Sequence, residues 1–275
     1  MKLGRIARKT IGALAILLVF GLVKAPLENG MTRRYVESGL IAEVAATELS
    51  SAVGQSTMLA VLGGLRPLVA IYTTLHAFDA WSFREWDTVE RDYRLITTMM
   101  PEDIDSWVTG SWHMAYNASA SARYDDPSVP EAVAEKNGRD WMLKGVAFIK
   151  KGIQQNPESA KLHEELARIY WKDKLDEPCL AAEEYQESLK LGPTKTFIRR
   201  FYGYFLSKCP GHEREAYDYL MDLYREGKKQ RLPSLISRIK AMEEALKIPQ
   251  AERIPDPDPD REIRKEYPNA QLPFD

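Results

Sequence analysis

Apolar residues fall three and four apart along most of this chain, and the runs stop at a proline or a glycine. Val89 and Tyr93 sit four apart, and Pro101 lies twelve residues after the valine. Gly145 and Ile149 repeat that spacing before Pro157, and Ala181 and Tyr185 repeat it before Pro193. The spacing predicts helices over ERDYRLITTMMP, KGVAFIKKGIQQNP and AAEEYQESLKLGP. Proline ends each one because it lacks an N–H and its ring clashes with the preceding turn. The small residue lets a second helix approach closely, and the larger residue one turn later fills the interface. β-Branched runs are short and do not alternate, so the chain is expected to be all-α.

Each proline-stopped helix should then be the second of a pair. Before Ala181, LHEELARIYW supplies Leu166, Ala167 and Tyr170. Before Gly145 stands DSWVTGSWHMAYN, in which Trp107, Gly110 and Met114 fall on the face expected to pack inside a hairpin. Asp105 or Ser106 is placed to cap that helix. A later pair joins TFIRRFYGYFLSK to REAYDYLMDLYREG, with Ala216 and Leu220 in register and Gly227 as the stop. PSLISRIKAMEEALK, opened by Pro233, reads as a single terminal helix. At the other end Pro67 starts PLVAIYTTLHAFDAW, which would pair with FREWDTVERDYRLITT. SASARYDDPSVPEAVAEKNG, rich in proline and polar residues, reads as a loop insertion between two helices.

These residues resemble the tetratricopeptide repeat family, with the unit from Ala160 to Pro193 carrying the best match. The resemblance covers residues 67 to 248 and implies an α-solenoid of about four degenerate helical hairpins closed by a capping helix. Gly63-Gly64-Leu65-Arg66 ahead of a tryptophan-rich first repeat also resembles membrane-anchored bacterial repeat proteins. On the family pattern the concave groove is lined by Trp112, Tyr116, Lys161, Arg168, Trp171, Lys172, Arg200, Tyr204 and Lys208. That set is basic and aromatic, so an acidic or extended protein segment would suit it. The alternative is that the basic side chains only solubilise the groove. In stacked hairpins the turns within neighbouring repeats share one edge, which would bring Cys179 and Cys209 close enough for a disulfide. Two unpaired thiols are the other reading.

The N-terminus changes the picture of where the repeats work. Lys2, Arg5, Arg8 and Lys9 precede the uncharged run IGALAILLVFGLV, and Thr10 to Leu27 is about long enough to span a bilayer. Residues 1–27 are therefore expected to be a cytoplasmic stub and transmembrane signal anchor, with the repeats in the bacterial periplasm. Secretion after signal-peptide cleavage is the alternative. Residues 28–66 are expected to form a helical juxtamembrane linker that either packs on the first repeat or lies on the membrane. Residues 249–275, with DPDPD, should be extended or disordered.

Composition adds exclusions. With 44% hydrophobic residues the chain can build a core, and a net charge of −2 gives no field that would recruit nucleic acid. His76, His113, His163 and His212 show no metal-ligand spacing, and no phosphate-binding, dinucleotide or nucleophile motif is present, so neither an enzyme nor a cofactor is expected. The adjacent pairs Glu164-Glu165, Glu183-Glu184 and Glu243-Glu244 read as solvated faces. The function expected is a membrane-anchored scaffold or assembly factor that binds a protein partner. A permanent subunit of an envelope complex is the runner-up, and an exported enzyme with an unrecognised site comes last.

Overall fold

The computed structural model describes residues 66–171, 175–192 and 195–255. Among them every regular element is helical and none is a strand. They fall into two compact units, the first ending at Leu162 and the second beginning at His163. No helix among the described residues is long and apolar enough to cross a membrane, and the Thr10–Leu27 run lies outside them.

In the first unit, α1 (Arg66–Ser82) and α2 (Trp86–Met99) form a hairpin. Ala70, Thr73, Ala77 and Ala80 form the buried stripe of α1. The turn between the helices places Arg84 at φ +59°, a left-handed conformation rare for a residue with a side chain. Helix α3 runs as α-helix Ile104–Trp112, π-helix His113–Ala118 and α-helix Ser119–Tyr124, and it packs along α4 (Glu131–Gln155). The expected loop insertion is thus mostly helix. Residues 119–124 extend α3, residues 131–138 extend α4, and only 125–130 turn. The extension holds because it is packed: Ser119 is buried, and Gly138 leaves room for the Arg123 side chain.

The α3–α4 contact depends on missing side chains. A Cβ on Gly145 would lie 2.8 Å from the Ala115 Cβ and 3.0 Å from the Ser111 carbonyl. One on Gly110 would lie 2.7 Å from the Phe148 ring, and one on Gly152 would lie 2.9 Å from Trp107. The Trp107 and Phe148 rings meet at 4.8 Å. The stop at Pro101 joins this contact, since its carbonyl accepts from Trp107 Nε1 and from Asn156 Nδ2, each at 2.8 Å. The cap of α3 is Asp103 rather than Asp105 or Ser106: its carboxylate accepts from the Asp105 N–H and from Ser106 Oγ. Between α2 and α4, Lys144 reaches Glu90 at 2.7 Å. Burial pushes the Glu90 carboxyl up, but hydrogen bonds from Lys144 and Arg94 outweigh it and hold the group below its usual range.

Helix α5 (Ala160–Ile169) spans the boundary between the units. The second unit continues with α6 (Pro178–Lys190), α7 (Thr196–Leu206), α8 (Glu213–Arg225) and α9 (Pro233–Ala245). Consecutive helices from α6 onward pack on one another, and α7 also touches α9. Leu166, Ala167, Ala181 and Ala216 are all buried at 1% exposure or less, so the small residues of the sequence register do sit at helix contacts. Proline opens α6 and α9, and Gly227 at φ +108° follows α8.

The paired glutamates are not a solvated face throughout. Glu164 and Glu165 are buried, with Arg168 4.0 and 3.2 Å away. Glu243 is fully buried, accepts from the Ile254 N–H at 2.6 Å and pairs with Lys240 at 3.2 Å. Only Glu183 and Glu244 stand exposed, as expected. The Glu243 contact also ties down the chain beyond α9. Ile248 and Ile254 are buried, and Arg253 donates to the Ile248 carbonyl at 2.8 Å. The DPDPD run lies outside the described residues.

Candidate partner-binding surface

Of the groove residues expected from sequence, Trp112, Tyr116 and Lys161 belong to the first unit, and Arg168, Trp171, Arg200, Tyr204 and Lys208 to the second. Lys172 lies outside the described residues.

The second unit gathers its members around an aromatic network. Trp171, just past α5, is 46% exposed, and its ring lies 6.3 Å edge-on from Phe205 and 6.4 Å from Phe201. Tyr185 of α6 stacks on Phe205 at 5.7 Å, and Tyr204 lies 6.3 Å from Phe201. Spacings of this kind suit aromatic pairs, whose positive edges seek negative faces. Burial pushes the Tyr185 hydroxyl above its ordinary pKa, partly offset by Arg168. Polar groups rim the network. The Lys208 ammonium lies 5.3 Å from the Phe205 ring centre, and Tyr204 shares a 3.0 Å hydrogen bond with Ser234. Arg200 donates to Gln230 at 2.8 Å.

The basic character of the set is weaker than its composition suggested. Arg168 is held by Glu164 and Glu165, and Lys161 is paired with Asp105. The sequence signal for these carboxylates was present in Glu164-Glu165, but one turn of spacing on a single helix does not show which face is buried. Aromatic area with hydrogen-bonding groups at its rim is what the second unit presents.

In the first unit Trp112 is 41% exposed and stacks with Tyr116 at 6.4 Å. His113, unremarkable in sequence, sits at the centre of a ring cluster, with Trp112, Tyr93 and Trp81 at 5.1, 5.4 and 6.1 Å. Its Nδ1 is 3.0 Å from Asn117 Nδ2, and burial pushes the imidazole pKa down to about 4. The ring is therefore neutral at pH 7. The π-helix begins at His113, and no local sequence pattern announces it. Beside the α1–α2 turn, a cleft is lined by Trp81, Arg84, Trp86, Asn117, Tyr124 and Asp125, and the buried Trp86 indole N–H has no hydrogen-bond partner.

Cys179 at the start of α6 and Cys209 after α7 are joined as a disulfide, with Cα atoms 5.2 Å apart. That separation lies inside the range a disulfide requires. Among the described residues no group of three or more His, Cys, Asp and Glu side chains is placed to hold a metal ion. No protein-family model matches the chain, and no curated protein matches it.

Proposed function

We propose that this chain is a membrane-anchored helical-repeat scaffold, of the tetratricopeptide type, that recruits a partner protein. In this reading the hairpins stack as an α-solenoid, and residues 10–27 hold it to the bacterial inner membrane from the periplasmic side. The partner engages the aromatic surface of the second unit through an extended segment, with acidic or carbonyl oxygens meeting Arg200, Tyr204 and Lys208.

One observation carries this reading: Trp171 is half exposed on an aromatic network rimmed by donors. Large aromatic anchors of this kind dominate the energetics of protein recognition. The oxidising compartment is favoured by the Cys179–Cys209 bridge, since disulfides persist there and are rare in the cytosol.

The test is copurification of the tagged full chain from native membranes in mild detergent, compared with Trp171→Ala and Tyr204→Ala variants. The expected result is a partner retained below one-to-one stoichiometry and lost from both variants while their helical content is unchanged. Undiminished recovery with both variants would remove this surface from the account. A stoichiometric complex that survives both substitutions would favour a permanent structural subunit instead.

A further inference from the structure

Among the described residues, the longest run of exposed large apolar side chains is on α1. Leu68, Ile71, Tyr72, Leu75 and Phe78 are 57–71% exposed, and they recur at i, i+3, i+4, i+7 and i+10. They form one stripe, separate from the alanine and threonine stripe buried in the unit. The exposed large apolar residues beyond α1 and its turn, such as Val133, Leu180 and Leu232, are scattered. A contiguous stripe of five large side chains is the kind of patch that marks an interface.

We propose that residues 41–62 of this same chain cover the stripe as an antiparallel helix, turning at Gly63-Gly64. Three observations select this occupant. The preceding chain reaches α1 directly, because α1 begins at Arg66. Residues 41–62 contain no proline, and as a helix would extend about 33 Å, enough to cover the 17-residue α1 at about 25 Å. Part of their apolar set also shares one face: Ile41, Ala45, Leu49, Ala52, Val53, Leu59 and Ala60 fall within a sector about 120° wide, with Glu43, Thr47 and Ser51 opposite, while Val44, Met58, Val61 and Leu62 lie outside that sector.

Charge disfavours a lipid surface. Residues 41–62 carry Glu43 and Glu48 and no lysine or arginine, and residues 67–83 have none either. A helix lying on an anionic membrane needs basic residues beside its apolar face. A second copy of the chain must compete with a segment tethered at millimolar effective concentration.

The functional consequence rests on the anchor reading given above. If residues 41–62 are docked, only residues 28–40 separate the anchor from the folded part, a reach of at most about 45 Å. The repeats then work close to the bilayer, and the partner must present its segment there.

The experiment uses the full chain in detergent with two cysteine pairs, Ala52→Cys with Leu75→Cys and Leu49→Cys with Phe78→Cys. These positions face each other in an antiparallel hairpin centred on Gly63-Gly64. The two native cysteines are bonded to each other and do not interfere. Mild oxidation should close an intrachain disulfide in most molecules of both pairs, seen by mass spectrometry of the digest. Leu75→Cys alone should react with a maleimide at least tenfold slower than when Val53→Asp is added. Links only between chains would show that a second copy covers α1, and protection that appears only with added anionic vesicles would show that lipid does. Either result overturns the proposal. Both are read without any partner, so the proposal can fail while the scaffold reading stands, and the reverse.

Discussion

In the first unit α3 and α4 meet where Gly110, Gly145 and Gly152 leave out a side chain, and Trp107 and Phe148 fill the space. In the second unit α6 and α7 meet through a stack of rings, and the open end of that hairpin is closed by Cys179–Cys209. Helices α4 and α6 carry the same sequence register, a small residue followed one turn later by a large one, yet different forces hold the two contacts. A close contact with backbone on one side has no room to relax. A contact between side-chain ends has room, and a covalent link limits the unfolded chain instead. The first hairpin should therefore be sensitive to added volume and the second to reduction.

The largest effect expected is loss of the bridge. Closing a loop of 30 residues is worth about 3–4 kcal/mol by the chain-entropy relation. The double variant Cys179→Ala, Cys209→Ala should unfold at correspondingly lower denaturant concentration, with the deficit confined to the second unit. A deficit spread over both units would erase the contrast.

Next is Gly145→Leu, which drives a side chain into the Ala115 Cβ and the Ser111 carbonyl and should cost about 3 kcal/mol. The paired variant Gly203→Ala sharpens the comparison. There the three nearest atoms belong to side chains, Leu220 and the Tyr219 ring, and none to backbone, so a smaller loss of about 1 kcal/mol is expected. Equal losses from the two substitutions in thermal melts would show that backbone proximity is not what distinguishes the units.

A third contrast is pH. His113 is held neutral, with its pKa lowered from 6.5 to about 4, while the unfolded chain takes up a proton near 6.5. The stability this group contributes is present above pH 6.5 and is lost as pH falls toward 4. The Glu90 carboxyl, whose ordinary value is 4.5, is also depressed, and its contribution is lost only below that value. Between pH 6.5 and 4.5 the first unit should therefore lose stability through His113. The variant His113→Phe should lose less than the native chain over that interval; an identical pH profile would show that burial of this ring is not coupled to its proton. A comparably small effect is that of Asp103→Ala, which removes the cap of α3 and should cost about 1 kcal/mol in the same melts.

Much of the helical layout was legible because prolines and small residues act locally. Pro101 and Pro157 do follow helix ends, and Val89, Gly145, Ala181 and Ala216 are buried. Trp107, Gly110 and Met114 face inward as their spacing required, and Trp112 faces out. What failed to read was decided by tertiary contact. SASARYDD is polar and carries no helical periodicity, yet it is helix up to Tyr124 because Ser119 and Arg123 lean on α4. Glu164, Glu165 and Glu243 are buried beside a partner charge or a backbone N–H, and the spacing of single residues does not say that their face is the buried one. The same holds for the surface proposed to bind a partner: its rings were visible in sequence, while Asp105, which offsets Lys161 from another helix, was found only in the folded chain.

The contrast between the units is tested most directly by hydrogen exchange of the full chain, resolved helix by helix, with and without a thiol reductant. The account predicts that reduction speeds exchange in α6, α7 and α8 and leaves α3 and α4 unchanged. Equal acceleration in both units, or none in α6 and α7, would contradict it.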